Sequence, residues 1–471
     1  MFHNIRKIHF VGIGGTGMSG IAEVLVNLGF QVSGSDSADG DTVRRLQRLG
    51  CRVHIGHAPG NLADAQVVVV SSAVSATNAE VLRARDLGIP VIPRAEMLAE
   101  LMRMKFGVAV AGAHGKTTTT WLASLVLDKG GLDPTIVVGG RLRALDTNAR
   151  LGRGRYLVAE ADESDGSFLR LNPTIAVVTN LDREHLDHYG TMEKLRSTFV
   201  EFANRVPFYG AAILCVDDEG ARGLLKDLVR RVITYGFADD AEVRAVRRRR
   251  DAGRTRFVVA RHGQELGEIS LGVPGEHMVR NALAAVCVGL EVGVGFDAIR
   301  AAIGEFSGIA RRMEVRAEVD DVLVVDDYGH HPSEIAATLA AAREWQPGRR
   351  LVAIFQPHRY TRTRDLAADF GPALAKADRV LVTPIYAAGE AAIEGVHSGL
   401  IADAARRAGA NVTRVESWED AVDLILPETR PGDVVLTLGA GDVWKAGDLL
   451  AARLAASPAT APVRAAGRGR G

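Results

Sequence analysis

The sequence predicts an α/β protein whose sheets are largely parallel. Short apolar runs alternate with helix-like stretches, as at Lys7-Ile-His-Phe-Val11, Val67-Val-Val-Val70, Val108-Ala-Val-Ala111, Ile175-Ala-Val-Val178 and Asp433-Val-Val-Leu-Thr-Leu438. Two of these runs break straight into glycine-rich turns that open helices. In others, charged and polar residues collect at the C-terminal end, where open α/β sheets place their ligands. At 471 residues the chain is too long for one core, and two to four domains are expected.

The first strand leads into Gly12-Ile-Gly-Gly-Thr-Gly17 and a helix that continues through Val24-Leu-Val26. In this spacing one glycine makes the turn, one admits a pyrophosphate, and one lets helix and strand pack closely. The next strand, Phe30-Gln-Val-Ser-Gly-Ser-Asp36, ends in an acid placed to meet a ribose or base. The diphosphate can belong to NAD or to another nucleotide, because both use the same helix N-terminus. Gln66-Val-Val-Val-Val-Ser-Ser-Ala-Val74 follows as a buried parallel strand carrying Ser71 and Ser72 at its carboxyl end, as ligands or as plain turn residues. A break between Pro93 and Lys105 marks the first domain boundary.

Val108-Ala-Val-Ala-Gly-Ala-His-Gly-Lys-Thr-Thr-Thr-Thr120 then reads as strand, tight turn and helix start, which together make a phosphate cradle. The glycines let backbone N–H groups approach an anion, Lys116 reaches the β/γ-phosphates, and the Thr117 hydroxyl holds Mg²⁺. Val110 stands where the common NTPase pattern has its first glycine, so Gly112, Gly115, Lys116 and Thr117 carry the pattern and point to ATP. The strand Tyr156-Leu-Val-Ala-Glu160 ends in Glu160-Ala-Asp-Glu-Ser-Asp165. Within its apolar run Glu160 is expected to face the metal, since a buried carboxylate without a cation is costly. Thr174-Ile-Ala-Val-Val-Thr-Asn180 delivers Leu181-Asp-Arg-Glu-His-Leu-Asp-His188, where a neutral His185 can complete a second ion site.

Short strands from Val206 to Leu271 carry no evident chemistry, and Arg247-Arg-Arg-Arg250 among them reads as a solvated hairpin end. The helix opened by Gly275 places His277 and Asn281 four residues apart, on one face. Arg311-Arg312 closes the region and could clamp a phosphate. The third region repeats one layout. Asp321-Val-Leu-Val-Val-Asp-Asp-Tyr-Gly-His-His-Pro332 and Leu351-Val-Ala-Ile-Phe-Gln-Pro-His-Arg-Tyr-Thr-Arg364 are strands ending in acids, histidines and arginines, and Gly439-Ala-Gly-Asp442 follows a later one. The guanidinium fork matches the two oxygens of a carboxylate, so Arg359 and Arg362 suggest a substrate carrying one.

Lysine plus arginine and aspartate plus glutamate balance at 57 each, which argues against a nucleic-acid or membrane partner held by bulk charge. Cys51, Cys215 and Cys287 form neither a disulfide framework nor a zinc pattern, as suits a reducing compartment. With no apolar signal core and no membrane-length run, a cytoplasmic, soluble protein is expected.

The glycine motif, the cradle, Glu160–Asp165, Asp326-Asp-Tyr-Gly-His-His-Pro332, Phe355-Gln-Pro-His-Arg-Tyr-Thr-Arg-Thr-Arg364 and Gly439–Asp442, in this order, closely resemble the ATP-dependent Mur ligases of peptidoglycan synthesis. The resemblance implies three domains: a Rossmann-like UDP-sugar domain over residues 1–104, a central P-loop-type ATP-binding domain over 105–311, and a Rossmann-like amino-acid domain over 312–456. A disordered tail, 457–471, would follow. It further implies that UDP-N-acetylmuramate and L-alanine are joined through an acyl phosphate, by a monomer or weak homodimer using ATP and Mg²⁺. On this basis Gly14, Gly15, Thr16, Gly17, Asp36, Ser71 and Ser72 hold UDP rather than NAD. Gly112, Ala113, His114, Gly115, Lys116, Thr117, Thr118, His277, Asn281, Arg312 and Asp327 hold ATP. Thr117, Glu160 and His185 are the metal ligands. Tyr328, His358, Arg359 and Arg362 surround the amino acid, and His330 or His358 takes the amine proton. Two departures stand out: Ala113 replaces a hydroxyl residue common in the family, and Asp182-Arg-Glu-His185 varies the usual acidic loop. A family relative that attaches a preformed peptide is one alternative, and an NAD(P)-dependent oxidoreductase is a remoter one.

Overall fold

The computed structural model describes residues 5–71, 73–142, 147–251 and 253–456. Ser72, the side chain of Thr16 and the tail from residue 457 lie outside the described residues. Contacts divide the chain between Ala310 and Arg311 into two compact units. Among the described residues the strands form three sheets, two in the first unit and one in the second.

The first sheet runs Arg52–Ile55, Gln31–Asp36, Lys7–Val11, Val67–Val70, Val91–Pro93, and every pairing is parallel. The chain winds outward from Lys7–Val11 and then returns to that strand's other side. The switch point therefore falls between Lys7–Val11 and Val67–Val70, and the glycine loop and Ser71 sit there.

The second sheet has ten strands, in the order Gln264–Leu271, Arg254–Arg261, Val243–Asp251, Val232–Gly236, Ala211–Cys215, Ile175–Val178, Phe106–Ala111, Tyr156–Glu160, Thr135–Leu142, Thr147–Arg150. Its middle is parallel, and antiparallel pairings close both ends. Phe106–Ala111 lies between Ile175–Val178 and Tyr156–Glu160, with Val110 opposite Glu160 and Ala111 opposite Val178. That register brings three sequence-remote strand ends together. The helix Lys116–Lys129 buries Trp121, Leu122 and Val126 against the helix Glu276–Glu291. The helix Arg94–Arg103 contributes Met97, Leu98, Leu101 and Met102 to a core that runs on from the first sheet to the second.

Arg247–Arg250 lies within the strand Val243–Asp251, at a bulge where Arg247 has φ 48°. Arg247 pairs with Glu265 at 2.5 Å and Arg249 with Glu268 at 2.7 Å, so neighbouring strands neutralise the run.

The third sheet runs Glu314–Val319, Val322–Asp327, Asp433–Leu438, Arg350–Phe355, Arg379–Val382, Val412–Arg414. Only its first pairing is antiparallel. The last strand of the chain enters between two earlier ones, which sets the loops after residues 327, 355, 382 and 438 side by side. No helix among the described residues is long and apolar enough to cross a membrane.

Candidate functional site

At the switch point of the first sheet, Gly12 takes φ 79° and the Gly14 N–H donates to Asp36 Oδ2 at 2.8 Å. A Cβ on Gly14 would meet that same oxygen at 2.8 Å, so the acid as well as any ligand demands glycine here. Asp36, expected at a ribose or base, thus also holds the glycine loop. Arg94 lies over Gly17, its Nη1 3.1 Å from where a Cβ would stand, and its Nη2 is 3.6 Å from Asp162 Oδ2. Gly15, Gly17, Ser71, Arg94, Glu160 and Asp162 line one cleft of about 190 Å³, which joins the glycine loop to the acids of the second sheet.

The cradle is held from beneath by the adjacent strand end. The Thr179 hydroxyl donates to His114 O at 2.7 Å and Asn180 Nδ2 to the same carbonyl at 3.0 Å, while the His114 N–H donates to Asn180 Oδ1 at 2.8 Å. His114 Nε2 meets Asp182 Oδ2 at 2.8 Å. The fold therefore uses His114 to tie the loop to Asp182, and Ala113 presents its carbonyl to Lys116 at 3.1 Å. Gly115 is left-handed, φ 80°, and a Cβ there would lie 2.6 Å from Asn281 Oδ1, which puts Asn281 against the loop. His277 stands one turn earlier on the same helix, and Thr118 is buried in the first turn of Lys116–Lys129.

Lys116 is folded back in this structure. Its ammonium donates to Gly112 O at 2.6 Å and to Glu163 Oε1 at 2.8 Å. Burial pushes the Glu163 carboxyl up to about 7, with Lys116 opposing the rise. Thr117 Oγ1 donates to Glu160 Oε2 at 3.0 Å. A hydroxyl and a carboxylate this close at the mouth of a phosphate cradle are oxygen donors suited to Mg²⁺. His185, left-handed at φ 58°, places Nε2 3.8 Å from Glu163 Oε1 and 3.9 Å from Glu184 Oε2.

In the second unit the residues assigned to the amino acid gather at the adjacent strand ends. His330 and His358 ring centroids are 5.5 Å apart, and Tyr328 stands 5.4 Å from His330. Arg362 Nη1 lies 3.2 Å from His358 Nδ1. Arg359 holds φ 74° and ψ 143°, a conformation rare for a side-chain-bearing residue, pinned by its N–H on Tyr386 O at 2.9 Å. Burial, and then the nearby His330, Arg362 and Arg359, push His358 down to about 3, so its imidazole is neutral and weakly basic.

Asp327 and Arg312, expected at ATP, are both engaged within this unit. Asp327 accepts from the backbone of Met313 and Gly329, each at 2.8 Å, and Arg312 reaches Glu334 at 3.4 Å and lies over the Tyr328 ring. The neighbouring Arg311 is a strut, donating to Asp326 and to the Gly439 and Gly441 carbonyls.

Family comparisons fit this layout segment by segment. Residues 7–106 match the model described as Mur ligase family, catalytic domain, residues 110–289 the Mur ligase middle domain, and residues 311–441 the Mur ligase, glutamate ligase domain. A UDP-N-acetylmuramate--L-alanine ligase of Geobacter sulfurreducens is 53% identical over 456 residues, covering 96% of this chain and 99% of that one. The chain belongs to the Mur ligase family. A second relative with the same description, from Pelobacter propionicus, is 54% identical over 96% of this chain and 98% of its own. Among solved structures, UDP-N-acetylmuramate-alanine ligase of Thermotoga maritima superposes with TM-score 0.81 at 29% identity, over 96% of this chain and all of that one. A murein peptide ligase of Psychrobacter arcticus gives 0.70 at 25% identity, over 96% and 100%. The three-domain α/β fold and the class of an ATP-dependent, amide-bond-forming ligase of peptidoglycan synthesis follow.

For a Mur ligase, sequence reasoning passed over Arg94, Glu163, Asn180 and Tyr386. Tyr386 stacks on His358 at 5.7 Å and 10°, and a Cβ on Gly441 would strike its ring. The strand-end rule, applied to Thr179-Asn180 and to the loop after Val382, would have found two of them. Arg94 opens a helix and carries no such signature.

Proposed function

We propose that this Mur ligase joins L-alanine to the lactyl carboxylate of UDP-N-acetylmuramate, forming ADP and phosphate. The observation that carries the reading is the common cleft that sets the glycine loop, Arg94 and Asp162 beside Glu160. A sugar nucleotide whose diphosphate lies on the glycine loop would extend its carboxylate toward the phosphate cradle.

In this reading residues 1–104 bind the UDP-sugar, 105–311 bind ATP, and 312–456 bind the amino acid. Gly14 to Gly17, Asp36 and Ser71 hold the UDP portion. His114, Gly115, Lys116, Thr118, His277 and Asn281 hold ATP, with Arg312 and Asp327 assigned to it from the third segment. The carboxylate attacks the γ-phosphorus, ADP leaves, and an acyl phosphate remains. The alanine amine then attacks the acyl carbon, and phosphate departs from the tetrahedral intermediate. Lys116 leaves Gly112 O and Glu163 to meet the phosphates, supplying positive charge where negative charge develops. Thr117 and Glu160, with His185 assigned as a further ligand, would hold Mg²⁺, which when bound neutralises phosphate charge.

Arg359 and Arg362 grip the alanine carboxylate and so aim its nitrogen. Of the two histidines, His330 is the better proton acceptor. Its Nδ1 lies 3.0 Å from Tyr328 O, which can only accept, so the neutral ring carries its lone pair on Nε2. His358, held neutral, orients Arg362. Three free, buried cysteines accord with a reducing cytoplasm.

ADP release measured with UDP-N-acetylmuramate and a panel of glycine, L-serine, L-alanine and a tripeptide tests the reading. L-alanine should give the highest kcat/KM; a preference for the tripeptide would replace it with peptide ligation.

A further inference from the structure

A cavity of about 480 Å³ opens at the far end of the second sheet from the cradle, and nothing in the reaction above uses it. It lies at the starts of the neighbouring strands Phe106–Ala111, Tyr156–Glu160 and Ile175–Val178, with Arg205, Pro207 and Tyr209 from the approach to Ala211–Cys215. Its size falls within the roughly 300–1,000 Å³ of small-molecule sites. Six residues of strand, at about 3.3 Å each, put Phe106 on the order of 20 Å from Gly112. The cavity is therefore separate from the cradle and from the cleft at Glu160.

Four of its lining residues, Arg103, Lys105, Arg155 and Arg205, are basic, and none is acidic. Three of the four have structural employment. Arg103 and Arg205 stand at the ends of the helices Arg94–Arg103 and Met192–Asn204, where cations offset the helix dipole, and pair with Glu100 at 2.9 Å and Glu201 at 2.7 Å. Lys105 donates to the Gly152 and Gly154 carbonyls at 2.8 and 2.6 Å. Arg155 ends no helix, and no carboxylate among the described residues pairs with it. Its guanidinium lies over the Phe106 and Tyr156 rings, 5.3 Å from each centroid, with an N–H on the Tyr156 hydroxyl at 3.3 Å. That holds the fork in place and leaves donors for a ligand. Beside it, Phe106 is 41% and Tyr209 59% exposed, two large rings that folding has left unburied.

One molecule that carries both a flat ring and an anion answers both features. We propose that this cavity is a further nucleotide site, which takes a nucleoside phosphate with its base against Phe106 and Tyr209 and its phosphate on Arg155. Bases stack on aromatic rings, and the guanidinium fork matches phosphate oxygens. Arg103 and Arg205 turn from their glutamates to join, because exposed pairs within one helix region hold weakly. The cavity lies on the connection between the first and second segments and away from the chemistry, so the site is regulatory rather than catalytic.

Photolabelling of the full chain with azido-ADP and, separately, with azido-UDP, the labelled peptides being mapped by mass spectrometry, tests this and shows which base is preferred. At least one probe should label the peptide carrying Phe106 or the peptide carrying Tyr209, saturably and in addition to its own substrate loop. Arg155→Ala should weaken that labelling at least about tenfold, the loss of one charge-assisted bond, while azido-ADP still labels the cradle. Cradle labelling shows that the variant is folded. Arg155→Gln, which keeps a stem over the rings, should give the same loss, and Lys116→Ala should spare the new site while weakening the label at the cradle. The proposal is overturned if neither probe labels saturably at Phe106 or Tyr209, or if both Arg155 variants leave that labelling unchanged. Those outcomes leave the ligase reading standing when the native protein forms ADP with UDP-N-acetylmuramate and L-alanine. Failure to form ADP would remove the ligase reading without touching the labelling result.

Discussion

Gly112 is where the cradle tolerates least, and Gly112→Ala makes the geometry measurable. The residue has φ 132°, and a Cβ there would lie 2.1 Å from Thr179 Oγ1 and 3.1 Å from both the N and the O of Asn180. A side chain in such a backbone region costs about 1–3 kcal/mol. The clash adds to this by displacing the Thr179 hydroxyl, which donates to Ala111 O at 3.2 Å and to His114 O at 2.7 Å. At about 1 kcal/mol net for each bond, the total comes to roughly 3–5 kcal/mol. Urea unfolding reads that loss if the loop holds its shape. If the loop yields instead, titration with a fluorescent ATP analogue should show affinity falling by about 100-fold or more. Adding Thr179→Ala removes the clash but deletes the same two hydroxyl bonds and leaves the backbone strain, so the double variant should stay within about 1 kcal/mol of Gly112→Ala. Gly112→Ala behaving within about 0.5 kcal/mol of the native protein in both assays would refute the reasoning, and full rescue by Thr179→Ala would refute the backbone part.

Three further outcomes are expected. Lys116→Ala should abolish ADP formation while UDP-N-acetylmuramate still binds by calorimetry; loss of both would mean that the two nucleotide sites are misassigned. Arg362→Gln should raise the KM for L-alanine about 10–150-fold, the equivalent of one charge-assisted bond, with ATP binding unchanged in direct titration. Glu80 is fully buried and accepts from Ser35 at 2.6 Å, Asn61 at 2.6 Å and Ala58 N at 3.0 Å, with His9 at 3.1 Å. Burial opposes its ionisation, but these bonds prevail and hold its carboxyl at about 2. Its contribution of about 3 kcal/mol is therefore full above about pH 4.5 and is lost as pH falls through about 2. The stability gap between native protein and Glu80→Gln should be about 1 kcal/mol smaller at pH 4 than at pH 7, and a gap that widens on acidification would contradict the assignment.

Much of the site was legible because strand, turn and helix start are written in consecutive residues. Lys116 and Thr117 follow a strand and a left-handed glycine, and Glu160 ends the neighbouring strand, so their proximity needed only the assumption of a parallel sheet. His277 and Asn281 needed only a helical repeat. Other contacts had no local sign. Arg94 begins a helix in the first segment, yet it reaches Asp162 in the second. Tyr386 enters beside His358 through an isolated bridge between residues far apart in sequence.

By itself, then, the sequence determined the α/β class, the two glycine loops, the order of the strand-end clusters and the family. All of these depend on backbone preferences and spacings that act over a few residues. Only the tertiary structure decided what state those side chains occupy: Lys116 folded onto Gly112 and Glu163, Asp36 fastening Gly14, His358 held neutral among arginines, and Glu163 buried with an oxygen unmatched. Burial and charge environment are sums over neighbours that arrive from every part of the chain, and no short window of residues contains them.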